Sequence, residues 1–267
     1  MAEYQKTLLV YLDIMGFRKL IEESEKDPTK VDLIVAILRK TQKQASLSFK
    51  TTVSSRVSVD AMEPRNFSDL MLRITPLGIG PMQFRTAMMN ECAILAWIQC
   101  ELFLSSGILL RGAMCIDDLH VEEDIVFGPA LVKAYQLEAS VAVFPRIVVD
   151  AKSCLLHGTE ELTPPQFDQY VQRGDDGAYF IDYLHHNYIN MLFMSEFKTY
   201  DKQFLAQHKM QVEMKLREFA TKDDRTKQKA LWLALYHNSV VRRVIAENPV
   251  TKDTYVKLLI SEAQLRI

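Results

Sequence analysis

Two acidic residues close apolar runs in the first third of the chain: Asp13 in Lys6–Ile14 (KTLLVYLDI) and Asp69 in Asn66-Phe67-Ser68-Asp69. Carboxylates at strand ends suit hard divalent cations such as Mg2+ or Mn2+, which take oxygen ligands and keep positions open for phosphate. Gly16, just after Asp13, would let a backbone amide come close to a phosphate oxygen, and a helix opening behind it adds a favourable dipole. Either aspartate alone reads as a strand-end cap. Together, in matching places, they read as a cation site facing a phosphorylated ligand. Other chemistries lack their residues. His185-His186 has no third ligand, Ser105-Ser106 has no nucleophile elbow, and no G-x-x-x-x-G-K-[ST] loop is present. Cys92, Cys100, Cys115 and Cys154 lie in apolar contexts without C-x-x-C spacing and read as buried, reduced thiols.

The elements that must position the aspartates can be read in order. Lys6–Ile14 is a central strand, Gly16 breaks it, and a helix follows. Asp27-Pro28 opens another helix, with Val31, Ile34, Val35 and Leu38 at helical spacing. Thr51–Asp60 reads as a strand, Glu63 to Asn66 as a turn, and Phe67–Thr75 as the hairpin partner. A long helix, Phe84 to Ser105, closes at Gly107, and Ile108–Ile116 is a strand leading into the acidic stretch Asp117–Asp124. Gly128-Pro129 opens a helix to about Val143; Pro145–Asp150 and Ala178–Leu184 are the last strands. Strand–helix–strand–strand–helix–strand with a central hairpin is the ferredoxin-like βαββαβ arrangement, an α+β fold that pairs an antiparallel sheet with helices on one face. It would put the first strand beside the hairpin, so that Asp13 and Asp69 converge.

From about Ser195 the pattern turns helical, with Phe204, His208, Val212, Leu216 and Phe219 in one stripe and Trp232–Tyr236 in a segment that should be buried. Residues 196–267 carry 14 Lys and Arg against 9 Asp and Glu, leaving 18 against 25 in residues 1–195. Two regions are therefore expected, 1–194 around the sheet and a helical C-terminal extension, 195–267, packed on it. In all, 267 residues with 48% hydrophobic content can build a sizeable core, and nine Gly and nine Pro exclude linker-rich architectures. A formal net charge of −2 argues against a nucleic-acid or membrane-surface partner. The longest apolar run, Cys92 to Ile98, is too short to span a bilayer, and no signal peptide is evident. These features predict a cytoplasmic protein.

Four segments carry a family resemblance: D-I-M-G-F at 13–17, N-F-S-D at 66–69, R-G-A at 111–113 and F-G-P-A-L-V-K-A-Y-Q-L-E at 127–138. Over roughly residues 7–185 the chain resembles a class III nucleotidyl cyclase catalytic domain, and more narrowly the stand-alone pyrimidine cyclases of bacterial Pycsar anti-phage systems. The resemblance implies that Asp13 and Asp69, helped by the Ile14 carbonyl, hold two Mn2+ or Mg2+ ions per site. It also implies that the Gly16 and Phe17 amides cradle the β- and γ-phosphates of a nucleoside triphosphate. Substrate would lie between the subunits of a homodimer, and the cyclic product would activate a separate effector.

The resemblance has a gap. The family's active-site helix carries an asparagine and, four residues on, an arginine; here those places hold Val132 and Gln136, ahead of Leu137-Glu138. Arg111, or alternatively Lys133, would have to supply the positive charge. Where purine cyclases carry a base-selecting lysine stands Glu63, with Arg65, Asn66, Phe67 and Ser68 close by, and Asp124 lies just outside the second base-selecting place. Departure from the purine pattern favours UTP or CTP over ATP. An adenylate cyclase, or a catalytically weak cyclase-shaped nucleotide sensor, are the alternatives. The Gly-Gly-acid-acid-aromatic turn of a diguanylate cyclase is missing at Asn66–Asp69.

Overall fold

The computed structural model describes residues 3–46, 62–78, 81–155, 170–185, 200–247 and 252–266. The chain divides into two compact units, Met1–Gln99 with Ile108–Asp182, and Cys100–Gly107 with Tyr183–Ile267.

In the first unit, β1 (Gln5–Ile14) is flanked on both sides by antiparallel partners, β3 (Leu70–Pro76) and β4 (Leu110–Glu122). A short β2 (Arg65–Phe67) pairs with β3. The helices α1 (Phe17–Ser24), α2 (Thr29–Ala45) and α3 (Pro81–Ser106) fall between these strands, so the order β2-β3-β1-β4 is the expected ferredoxin-like one. The sheet then departs from a purely antiparallel one. After β5 (Ile125–Phe127) and α4 (Pro129–Ser140), β6 (Ile147–Val149) lies parallel to β4, and β8 (Tyr179–Ile181) and β7 (Val171–Arg173) extend the edge. Parallel pairing requires a helical crossover, which α4 supplies.

Both faces of the sheet are covered, a correction to the expectation of helices on one side. Leu9, Leu72, Ile74, Cys115 and Leu119 form one apolar cluster with Ala130 and Ala134 of α4. Between Leu72 and Ile74, Arg73 points to the opposite face, where it donates to Glu91 of α3 at 3.0 Å and to the Ala45 carbonyl of α2. The guanidinium and carboxylate are both buried, so removing either would strand the other.

Three local expectations change. The hairpin turn is Ser68-Asp69, with Ser68 at φ 58°, and not Glu63–Asn66: Arg65–Phe67 is already strand, while the expected strand Thr51–Asp60 lies outside the described residues. On α2, Ile34, Thr41 and Ala45 are the buried line and Val31 and Val35 are exposed, because the covered stripe is narrower than the apolar pattern. Third, Phe84–Ser106 is long and apolar enough to cross a membrane by length and composition, although 67% of that window is buried inside the protein. Its Met88, Cys92, Leu95, Ile98 and Leu102 are inaccessible or nearly so, as expected of a helix that is apolar all round.

The second unit is helical, as expected. On α5 (Tyr200–Phe219), Phe204, His208, Val212 and Leu216 are buried; on α6 (Asp224–Glu247), Leu233, Ala234, Tyr236 and His237 are buried, whereas Leu235 is exposed. Beyond the short α7 (Lys252–Val256), Asn238 clamps Ile260 by donating to its carbonyl at 2.9 Å and accepting from its N–H at 2.8 Å. All four cysteines are free and buried, and burial pushes the Cys115 thiol up to about 12.

Candidate functional site

Alternation along β1 places Leu9, Tyr11 and Asp13 on the sheet face that α4 covers, and alternation along β4 does the same for Arg111, Ala113 and Cys115. The register sets Asp13 directly opposite Arg111. On α4 the buried residues are Ala130, Ala134 and Glu138, one above another at four-residue spacing. The two alanines let the helix approach the strands, and the third position then carries a carboxylate to Arg111. The Arg111 Nε donates to Asp13 Oδ2 at 2.7 Å and lies 2.6 Å from Glu138 Oε1.

Asp69, in the β2–β3 turn, lies near enough to Asp13 to act on it electrostatically. Burial is the main cause that raises the Asp13 pKa to about 6; Asp69 pushes the same way and Arg111 opposes both. Burial and then Asp69 also raise Glu138, against the pull of Arg111. Tyr11 is raised by burial and by Glu138, Asp13, Tyr135 and Asp69, so it shares this environment; its ring meets Tyr135 edge-on at 6.2 Å.

Two carboxylates on one guanidinium, with Asp69 acting on Asp13, gather acidic groups in a half-buried place, and hard oxygen donors of this kind fit a divalent cation. Among the described residues no group of three His, Cys, Asp or Glu is placed to hold an ion, so a cation here would rest on Asp13 and Asp69 with other oxygens completing its shell. Ile14, the last residue of β1, is buried beside them. At Gly16 the chain turns through φ +83°, with open space where a side chain would project, and α1 begins at the buried Phe17 with no side-chain cap on its first N–H groups.

The other residues singled out in the sequence take no part in the Asp13–Arg111–Glu138 ion pairs. Arg65 reaches Asp124 at 3.5 Å, and Asp124 is fully exposed at the β4–β5 turn. Asn66, Phe67 and Ser68 are exposed, Phe67 to 80%. Val132 and Gln136 stand on the outer face of α4, where they line an open depression of about 580 Å3 with Tyr4, Phe127 and Pro129; neither aspartate lines it. Lys133 is held by Asp150 at 2.6 Å, with Asp117 at 3.8 Å. His185 is buried, and His186 lies outside the described residues.

Sequence reasoning used Glu138 only to align the helix and passed over Tyr11. The signals were there: Glu138 is four residues beyond Ala134 on the buried row, and a buried acid needs a cationic partner. Tyr11 shares strand parity with Asp13.

No protein-family model matches this chain, and no curated protein matches its sequence. Among solved structures, the adenylate/guanylate cyclase/hydrolase from Silicibacter pomeroyi is 14% identical, over 67% of this chain and 96% of its own, with a TM-score of 0.34. A likeness of that size adds nothing to what the strand order establishes.

Proposed function

We propose that this chain is a nucleotidyl cyclase that converts UTP or CTP to the 3′,5′-cyclic monophosphate and pyrophosphate. The observation that carries the reading is the placement of Asp13, at the end of the central strand, near Asp69 in the turn that leads into the neighbouring β3, where Asp69 helps to raise the Asp13 pKa. Two Mn2+ or Mg2+ ions held by Asp13, Asp69 and the Ile14 carbonyl would acidify the ribose 3′-hydroxyl and neutralise the leaving pyrophosphate. The 3′-hydroxyl gives its proton to solvent water, its oxygen bonds to the α-phosphorus as the bond from that phosphorus to the β-bridging oxygen breaks, and pyrophosphate leaves with the electron pair. The uncapped N–H groups at Gly16 and Phe17 suit the β- and γ-phosphates. Arg111 donates to Asp13 and is the candidate to meet charge growing on the α-phosphate.

The pyrimidine preference rests on Glu63 standing where purine cyclases carry a lysine and on Asp124 lying just outside the second base-selecting place, where it is engaged by Arg65. In this reading the protein works in the cytoplasm as a homodimer, and its product serves as an anti-phage messenger for a separate effector. A second reading, a cyclase-shaped nucleotide sensor, is favoured by the α4 surface: Val132 and Gln136 carry no charge, and Lys133 is occupied by Asp150. Incubation of the purified chain with each of the four nucleoside triphosphates and Mn2+, followed by chromatography, separates the two. A cyclic pyrimidine product supports the cyclase; nucleotide binding without any cyclic product makes the sensor the better account.

A further inference from the structure

A single N–H of Arg111 stands between two carboxylates from different elements, Asp13 of β1 at 2.7 Å and Glu138 of α4 at 2.6 Å. One N–H can donate well to one of them, and it is directed at Asp13. Glu138 Oε1 is left as a buried acceptor without a hydrogen bond, on a side chain only 5% exposed. An unfilled acceptor in such a place is costly unless something fills it during function.

We infer that Glu138 is a positioning residue that takes over Arg111 when a cation occupies the aspartate pair. The inference rests on the cation reading of Asp13 and Asp69. A divalent cation on Asp13 repels the guanidinium and removes its acceptor. Without Glu138, Arg111 would either block the cation or leave for solvent. With Glu138, a small shift of the guanidinium trades one charged acceptor for another, so the positive charge stays at the edge of the site, aimed past the aspartates. Such an exchange needs two nearly balanced acceptors, because a ligand moves an equilibrium only through its different affinity for the two states. Here the two distances to Nε differ by a tenth of an ångström.

The test is Mn2+ binding to the full chain, followed by the paramagnetic resonance of free Mn2+, in a cycle of Glu138→Gln, Arg111→Gln and both. Glu138→Gln should weaken Mn2+ about tenfold, because Arg111 then settles on Asp13. Arg111→Gln should bind Mn2+ at least as tightly as the native chain, and Glu138→Gln should have no further effect in that background. A purely structural role would lower the unfolding temperature without this dependence on Arg111. Equal weakening in both backgrounds would mean that Glu138 acts directly on the cation, and unchanged affinity in Glu138→Gln would mean that it takes no part; either overturns the inference. Should Glu138→Gln fail to fold, Glu138→Asp, which draws the carboxylate back by one methylene, is expected to give the same weakening. A native chain that binds no Mn2+ overturns the cation reading itself, a result distinct from a native chain that binds and a variant that binds equally well.

Discussion

The Nδ1 atoms of His208 and His237 lie 3.0 Å apart, with the two rings 8° from parallel. Their partners assign the protons. The Leu258 carbonyl, 2.9 Å from His237 Nε2, can only accept, so that nitrogen carries hydrogen and His237 Nδ1 is bare. His208 must then donate through Nδ1, which leaves its Nε2 to accept from the Tyr183 hydroxyl at 2.8 Å. Every bond in the row is satisfied when both rings are neutral.

Neutrality gives a pH prediction. Burial lowers His208 well below 6.5, with His237 adding to the effect, and burial lowers His237 to about 4. A histidine with a depressed folded pKa binds fewer protons folded than unfolded. Its contribution to stability is therefore whole above pH 6.5 and is lost as pH falls toward 4. Each such histidine can cost up to about 1.4 kcal/mol per pH unit in that window. Asp13, raised to about 6, adds stability as pH falls below 6 and opposes the histidines, so the prediction is a difference: in urea unfolding from pH 7 to 5, His237→Gln should lose less stability than the native chain. Equal pH dependence in the two would contradict the assignment.

On the cyclase proposal, Asp13→Asn and Asp69→Asn should each reduce cyclisation by about two orders of magnitude or more, since several kcal/mol of charge stabilisation would be lost at each. The fold should survive, because either change relieves crowding of negative charge. Circular dichroism and a turnover assay decide together; native-like turnover in either variant removes the mechanism.

For Arg111, affinity and turnover should part. Arg111→Ala should slow the chemical step by about a hundredfold without weakening Mn2+ binding, and Arg111→Lys should rescue it poorly for want of the planar fork. Lys133→Ala is the control: its ammonium is already committed to Asp150, so its loss should touch stability more than rate. The reverse pattern would hand the role to Lys133.

Two glycines should fail under substitution for different reasons. A methyl at Gly112 would lie 2.3 Å from the Tyr11 carbonyl oxygen and 2.9 Å from Leu12 Cδ2, forcing β4 away from β1 beside the Asp13–Arg111 pair. Gly112→Ala should cost roughly 1–3 kcal/mol in stability and disturb the site as well. At Gly16 there is room, but φ +83° strains any side chain, so Gly16→Ala should cost on the order of 1 kcal/mol through the backbone alone. Denaturant midpoints and Mn2+ affinity, measured on both, separate the cases.

How much of this was legible in the sequence depends on the range of the interaction concerned. Lys6–Ile14 reads as a central strand because an apolar run with a terminal acid has few other uses, and Asp13 came with it. For Asp69 the turn was misplaced: Ser68 adopts a left-handed conformation usually signalled by Gly or Asn, so the hairpin was displaced toward Glu63. Glu138 was hidden for another reason. Its role exists only because α4 crosses β4 at Arg111, a tertiary fact that helical spacing suggests and cannot locate.

Because β1 is bonded along both edges, from Thr7 to Leu12 against β3 and from Gln5 to Ile14 against β4, its amides are freed only when the sheet itself opens. Asp13 is thus anchored to backbone that should be among the last to take up deuterium, on the timescale of unfolding rather than of ligand exchange. Whatever moves when a ligand binds has to be sought in side chains and turns around that strand. Leu9 and Val10 should keep their protons longest.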